Sequence, residues 1–281
     1  MSFIQAFLAS PVLQMAVLAA IGASFASGII GSYVVVKRIV SISGSIAHSV
    51  LSGLGAALWL QRHFELNWLL PFYGALVAGV LSALIIGWVH LYYREREDAI
   101  IAMIWSVGMA IGVVFVSQVP GFNVELMNFL LGNVLWVSSW DLYLLGILDL
   151  IIIVTVVIYH KRFLALCFDE KQAQLQGIPV GSLYLLLLVL IALSVVLLIY
   201  IVGIILVLSM LALPASIAGT FTFRLSRMML IAVLLNIAFS IGGLAIAYRL
   251  DWPAGATIAL FSGLIYLLSL RFKRPIIPVS P

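Results

Sequence analysis

Two ionisable side chains sit in stretches otherwise suited to a lipid interior. His48 lies in SGSIAHSVLSGLGAA, surrounded by the small residues Gly44, Ser45, Ala47, Ser49, Ser52 and Gly53. Asp149 lies in LLGILDLIII, with leucine on both sides. A charge at mid-bilayer costs about 2.5–3.5 kcal/mol on insertion scales, so one that persists there needs a reason. Facing a bundle interior, the two would form polar steps for a small cation. Neutral imidazole is a ligand for zinc and other transition ions, and a carboxylate compensates their charge. Each residue can equally serve as a hydrogen bond between helices, and the sequence leaves both readings open. His63, His90 and His160 fall near the ends of apolar runs and read as interfacial residues. Glu125 and Asp141 are expected on the outer side, where they could attract cations. Methionines 103, 109, 127 and 210 are scattered and read as packing.

A second group of polar residues stands outside the apolar runs, in His160–Pro179, HKRFLALCFDEKQAQLQGIP. Asp169 is placed to accept from the free N–H groups of a first helical turn, and Gln172 stands where a capping-box partner belongs. Gly177 can take the left-handed conformation that ends a helix, and Pro179 prevents continuation. The spacing predicts a helix of about two turns over 169–177. Such an element between membrane spans suits docking onto another protein, though a solvated loop has the same composition.

What must position these residues is a membrane bundle. The 281 residues are 65% hydrophobic and 9% charged, a balance that excludes a soluble domain. The expected fold is all-α: a single transmembrane unit over 1–281, with eight or nine spans and one short cytoplasmic helix. A short interfacial helix is expected over Met1–Ser10. Spans follow at about 12–36, 44–60, 69–92, 99–119 and 140–159. The run from Gly181 to Gly219 is too long for one crossing and divides near Tyr200–Gly203. The last spans are expected over 228–248 and 254–270. Pro120–Ser138, with Glu125, Asn128 and Asn133, reads as a re-entrant or surface segment. If Lys37–Arg38 is cytoplasmic, alternation places twelve of the fourteen Lys and Arg inside, leaving Arg62 and Arg249 outside. The positive-inside rule produces that asymmetry. It puts the N-terminus outside and the C-terminus in the cytoplasm, and it accounts for the net charge of +4 without a nucleic-acid partner. Tryptophans 59, 68, 136, 140 and 252 fall near outer span ends, as an aromatic belt requires.

Cys167 is the only cysteine, which excludes an intrachain disulfide and a cysteine metal cluster. MSFIQAFLAS has no Lys or Arg, so the basic region of a cleaved signal is missing and the first hydrophobic helix is expected to be retained. No G-x-x-x-x-G-K-[ST] and no H-E-x-x-H occurs. The chain therefore lacks a Walker A phosphate cradle and the zinc-protease pair. A proton- or sodium-coupled transporter using Asp149, or a membrane scaffold, would fit the same composition.

Three segments resemble the permease subunits of bacterial ABC importers for zinc, manganese and iron. GSYVVVKR (31–38) running on to SISGSIAHSVLSG (41–53) is similar to the family's G-S-F-V-V-x-R-R … G-D-A-x-S-H-A-x-x-P-G. FDEKQAQLQGIP (168–179), continuing through GIILVLSMLALPA (203–215), is similar to F-D-x-x-x-A-x-x-x-G-x-P and G-x-x-L-V-x-x-x-L-x-x-P-A. DWPAGATI (251–258) is similar to D-x-P-x-G-A-x-I. Order and spacing match over about residues 10–270. The resemblance implies an inner-membrane permease that forms a homodimer and has no cofactor of its own. A divalent metal ion would be its substrate, with zinc slightly ahead of manganese or iron. ATP would be bound by cytoplasmic partner subunits, and an extracytoplasmic metal-binding protein would deliver the ion. Asp169, Glu170, Lys171, Gln172, Ala173 and Gly177 then belong to a helix that couples to the ATPase. Where the family has Asp four residues before the histidine, this chain has Gly44; residues i and i+4 share a helix face, so the Asp–His pair is incomplete. Ser52 replaces the family's proline, which predicts a less kinked helix.

Overall fold

The computed structural model describes residues 3–66, 68–93, 97–119, 129, 132, 134 and 137–272. Most of Pro120–Ser138, including Glu125, Met127, Asn128, Asn133 and Trp136, lies outside the described residues, as do Arg94, Arg96, Lys273 and Arg274.

The described residues form helices without strands. They are α1 (Phe3–Ala9), α2 (Pro11–Val36), α3 (Val40–His63), α4 (Pro71–Tyr92), α5 (Glu97–Ser117), α6 (Ser139–Phe168), α7 (Glu170–Leu175), α8 (Val180–Val202), α9 (Ile204–Phe221), α10 (Leu225–Leu250) and α11 (Ala254–Ser269). Eight of them, α2–α6 and α8–α10, are long and apolar enough to cross a membrane. At 16 residues, α11 rises about 24 Å, short of the roughly 30 Å hydrocarbon core. It packs against α9 and α10 and is extended by a 3-10 turn, Leu270–Phe272.

Gly203 makes the break expected in the long apolar run. Its φ of 84° and ψ of 158° lie in a region essentially closed to residues with a Cβ, so α8 stops and α9 starts at one residue. Asp251, at φ 55°, ends α10 in the left-handed conformation that aspartate tolerates, and Pro253 opens α11. The DWPAG stretch is thus a tight corner between helices.

Two expected boundaries move. The fifth span does not end at Tyr159 but continues to Phe168 as one 30-residue helix, because nothing in HKRFLALCF breaks a helix. The second span begins at Val40, one turn before Gly44, and runs unbroken to His63. At its position 52, the Ser52 hydroxyl donates to the Ser49 carbonyl at 2.7 Å in place of a proline kink.

Packing follows small residues, as it must where lipid is as apolar as the core. A Cβ at Gly53 would lie 2.0 Å from the Gly74 carbonyl oxygen, and one at Gly74 would lie 2.2 Å from the Gly53 carbonyl oxygen. The backbones of α3 and α4 are therefore in direct contact. Gly31 meets the Leu211 carbonyl of α9 in the same way, at 2.2 Å. Gly108 and Gly112 of α5 lie against Ser49 and Leu51 of α3. α8 is central and packs on α2, α3, α4, α6 and α9.

Contacts sort the helix ends into two sets. At one end, Lys37, His90, Glu170 and Tyr184 meet. At the other, Gln61, Pro71, Val137, Asp141 and Tyr200 line a cleft of about 370 Å³. These sets match the alternation of span ends expected from the basic residues.

Candidate functional site

The short helix α7 has the ends its sequence specifies. The Asp169 carboxylate accepts from the Gln172 N–H at 3.0 Å, which satisfies one of the free donors of the first turn. The expected capping box is only half made. Asp169 also closes α6, and its own N–H donates to the Ala165 carbonyl at 3.0 Å, so Gln172 has no donor to reach back to. The complete box is elsewhere: Ser138 and Asp141 cap α6 reciprocally. Asp141, considered as a cation attractor, accepts from the Ser138 N–H and hydroxyl through one oxygen, both at 2.8 Å. At the far end of α7, Gly177 adopts φ 75°. The Ile178 N–H donates to Ala173 O and the Gly177 N–H to Gln174 O, a complete Schellman closure.

α7 is seated by Ala173, which is fully buried, while Leu175 is 89% exposed and Phe168, just before it, is 72% exposed. Asp169, Lys171, Gln172, Gln174, Gln176 and Gly177 are exposed as well. A shallow groove of about 260 Å³ runs between α6 and α7, lined by Lys161, Leu164, Phe168, Gln172 and Gln176. Two projecting apolar side chains, Phe168 and Leu175, thus stand in a polar frame.

Glu170 faces the other way. One carboxylate oxygen accepts from the Lys37 ammonium, and the other lies 3.6 Å from His90 Nε2. Lys37 also donates to the Leu166 carbonyl at 3.1 Å. Those partners, His90 first and Lys37 with it, hold the Glu170 carboxyl down at about 2 against an ordinary 4.5. A folded-state value below the unfolded one means stabilisation that is complete above pH 4.5 and lost as pH falls towards 2. Hydrogen exchange of the α7 amides, corrected for intrinsic rates, is therefore expected to stay constant from pH 7 to 4.5. It is expected to accelerate only below that.

His48 stacks on Trp105 of α5, with ring centroids 4.3 Å apart and planes 15° apart. Eight residues from the start of α3, it lies about 12 Å along the helix. Gly44 faces the same indole, with Trp105 Cζ3 3.6 Å from where its Cβ would be. The two motif positions thus share one face, and a Cβ at 44 would make only ordinary van der Waals contact there. Asp149 lies elsewhere. It packs along α2, 3.7 Å from the Cβ position of Gly22, and its Oδ1 is buried without a hydrogen-bond partner among the described residues. The structure therefore does not bring His48 and Asp149 together, and no group of three or more His, Cys, Asp or Glu converges among the described residues.

The structure also shows a residue that sequence reasoning passed over, Asn236, and gives His160, read from the sequence as interfacial, two partners. Asn236, buried in α10, donates to Ser27 Oγ at 3.2 Å and to Met210 O at 3.0 Å, joining α10 to α2 and α9. His160 bridges the hydroxyls of Tyr33 and Ser226, at 3.3 and 3.1 Å. A lone amide in VLLNIAFS was the visible signal for the first. Nothing local announces Trp105 as the partner of His48.

The geometry agrees with what known proteins show. The model of the ABC 3 transport family matches residues 9–273. A probable metal transport system membrane protein of Chlamydia pneumoniae is 55% identical over 264 residues, 94% of this chain and 90% of that one. The manganese transport system membrane protein MntC of Halalkalibacterium halodurans is 32% identical over 271 residues, covering 96% and 90%. Among solved structures, PsaBC from Streptococcus pneumoniae in complex with Fab superposes with a TM-score of 0.82 at 29% identity, over 95% of this chain and 94% of that one. With the motifs, the helix order and the near full-length match in agreement, the chain belongs to the ABC 3 transport family.

Proposed function

We propose that this chain is the transmembrane subunit of an ATP-driven importer for a divalent transition-metal ion in a bacterial inner membrane. The observation that carries the reading is α7, a helix closed at both ends and seated by Ala173, which presents Leu175, Phe168 and a polar rim outward. A separate ATPase subunit grips it, and rigid-body movement of that subunit biases the spans between two states. The end of the bundle that carries Lys37, Lys161, Arg162, Lys171, Arg224 and Arg227 faces the cytoplasm. The N-terminus lies outside and the C-terminus inside, with α11, lengthened to about 30 Å by the 3-10 turn Leu270–Phe272, crossing as the ninth span so that Arg271 joins the other basic residues. An extracytoplasmic binding protein delivers the ion at the opposite end.

His48 serves as a transient ligand of the ion. It is half-buried, on a helix pair whose α5 member leaves Met103, Trp105, Val107 and Ile111 exposed, so one copy does not wall in a path there. A second copy of the chain supplies the missing wall, which supports the homodimer. The relatives named for manganese transport favour manganese over zinc as cargo. No carboxylate stands beside His48 among the described residues, and the ion is held there by fewer bonds.

The test is uptake of radiolabelled manganese and zinc by cells carrying the chain with its ATPase subunit. His48→Ala is expected to lower metal uptake roughly tenfold, the loss of one ligand interaction of about 1.4 kcal/mol. Uptake at the unaltered rate would remove His48 from the path. Uptake that persists without any ATP-hydrolysing subunit would overturn the importer reading in favour of an ion-coupled transporter.

A further inference from the structure

The backbone of α7 packs chiefly on α6 and α8. Its hold on α2 and α4 is a side-chain matter, resting on the first residue of the helix. Glu170 takes Lys37, the residue that caps α2, on one carboxylate oxygen and His90, in the last turn of α4, on the other. Lys37 simultaneously holds the Leu166 carbonyl in the last turn of α6. The His90 ring lies 4.4 Å from the Tyr184 ring of α8, and the Lys37 ammonium stands 5.9 Å from that ring's centre. Two spans therefore meet on one carboxylate, contributed by a helix that lies outside them, and two more, α6 and α8, touch the Lys37 and His90 side chains that hold it.

We infer that the Lys37–Glu170–His90 cluster is the joint that passes displacement of α7 to the spans, with Glu170 and Lys37 as positioning residues for transport. This rests on the docking role proposed for α7. From His90 the movement reaches α4, whose backbone touches α3 at Gly53–Gly74, and α3 carries His48. From Lys37 it reaches α2, which packs on α9 and α10. The side chains are only 14% (Lys37), 19% (His90) and 30% (Glu170) exposed. Water and salt screen the cluster less than a surface pair, so it can hold under load. Lys37 and Glu170 stand 133 residues apart; no local rule of helix capping requires their pairing.

The experiment uses the permease assembled with its ATPase subunit in proteoliposomes, comparing the unaltered chain with Glu170→Gln, Lys37→Gln, the double variant and Lys37→Arg. Three quantities are read: ATPase subunit retained, ATP hydrolysed, and manganese moved per ATP. Both glutamine variants are expected to retain the ATPase subunit while manganese moved per ATP falls roughly tenfold, the scale of a typical coupling free energy. Lys37→Arg keeps charge and donors and is expected to stay within about twofold, on the same scale. The double variant is expected to be no worse than either single one, because each single change already opens the same Lys37–Glu170 link. Unchanged transport per ATP in Glu170→Gln overturns the inference. So does loss of the ATPase subunit from that variant, which would make Glu170 a docking contact and leave the docking role standing. Failure of both glutamine variants to fold also overturns it, by making the cluster structural. If the unaltered chain retains no ATPase subunit, the docking role itself fails.

Discussion

Leu175→Asp is expected to strip the ATPase subunit from the permease while leaving the membrane bundle intact. Leu175 is 89% exposed on the last turn of α7, so within one copy it has almost no packing to lose. A surface change without such packing moves stability by about 0.5 kcal/mol or less. At an interface the same side chain is a projecting apolar anchor, and anchors of that kind cost about 2 kcal/mol or more when truncated. On the proposed docking role the substitution also sets a charge against the ATPase subunit, so affinity is expected to fall at least roughly thirtyfold, the equivalent of about 2 kcal/mol. The check is the amount of ATPase subunit co-purifying with a tagged permease in detergent, beside the melting temperature of the permease alone. Full retention of the ATPase subunit would refute the assignment of α7. A large drop in melting temperature would show that Leu175 packs within the bundle.

The second large effect is on the bundle itself. Gly53→Val is expected to abolish the folded permease, and Gly74→Ala to weaken it severely. The atoms in the way are backbone carbonyl oxygens 2.0 and 2.2 Å from the new Cβ positions. No rotamer change relieves that contact, so α3 and α4 must separate. Overpacking costs of about 1–3 kcal/mol apply where side chains can yield; here they cannot, and the cost is expected at or above that range. Gly146, with no atom within 4 Å of its Cβ position, is the control, and Gly146→Ala is expected to leave the protein unchanged. Monodispersity and thermal unfolding of the detergent-purified variants decide it. A normally folded Gly53→Val protein would show that the two helices are not in backbone contact.

What determines α7 is local and was legible. Asp169 and Gly177 fix its two ends through their own hydrogen-bonding and backbone chemistry, and Leu175 falls outside only because Ala173 is buried. The Gly203 break was legible for the same reason, since apolar length demanded a division and glycine allowed one. The failure of the Asp169–Gln172 capping box shows the limit of local rules. The Asp169 N–H was already bound to Ala165 O, because α6 runs nine residues further than the end of the apolar run suggests.

The sequence by itself determined an all-α membrane bundle of eight or nine crossings, their order, which span ends share a side, and a short capped helix between the fifth and sixth long spans. These follow from run length, charge placement and capping chemistry, which act within about one turn or along one span. Only the tertiary structure decided that His48 stacks on Trp105, that Asp149 turns to α2, and that Glu170 gathers Lys37 and His90. The physical reason is that these helices are apolar on nearly every side. In α8, for instance, the residues from Leu183 to Val202 are all apolar but for Tyr184, Ser194 and Tyr200. A soluble helix announces its buried face by contrast with its wet one; here lipid and protein interior are equally apolar. Which face turns inward is settled by close backbone approach at residues such as Gly31, Gly53 and Gly74, and that depends on all the helices at once.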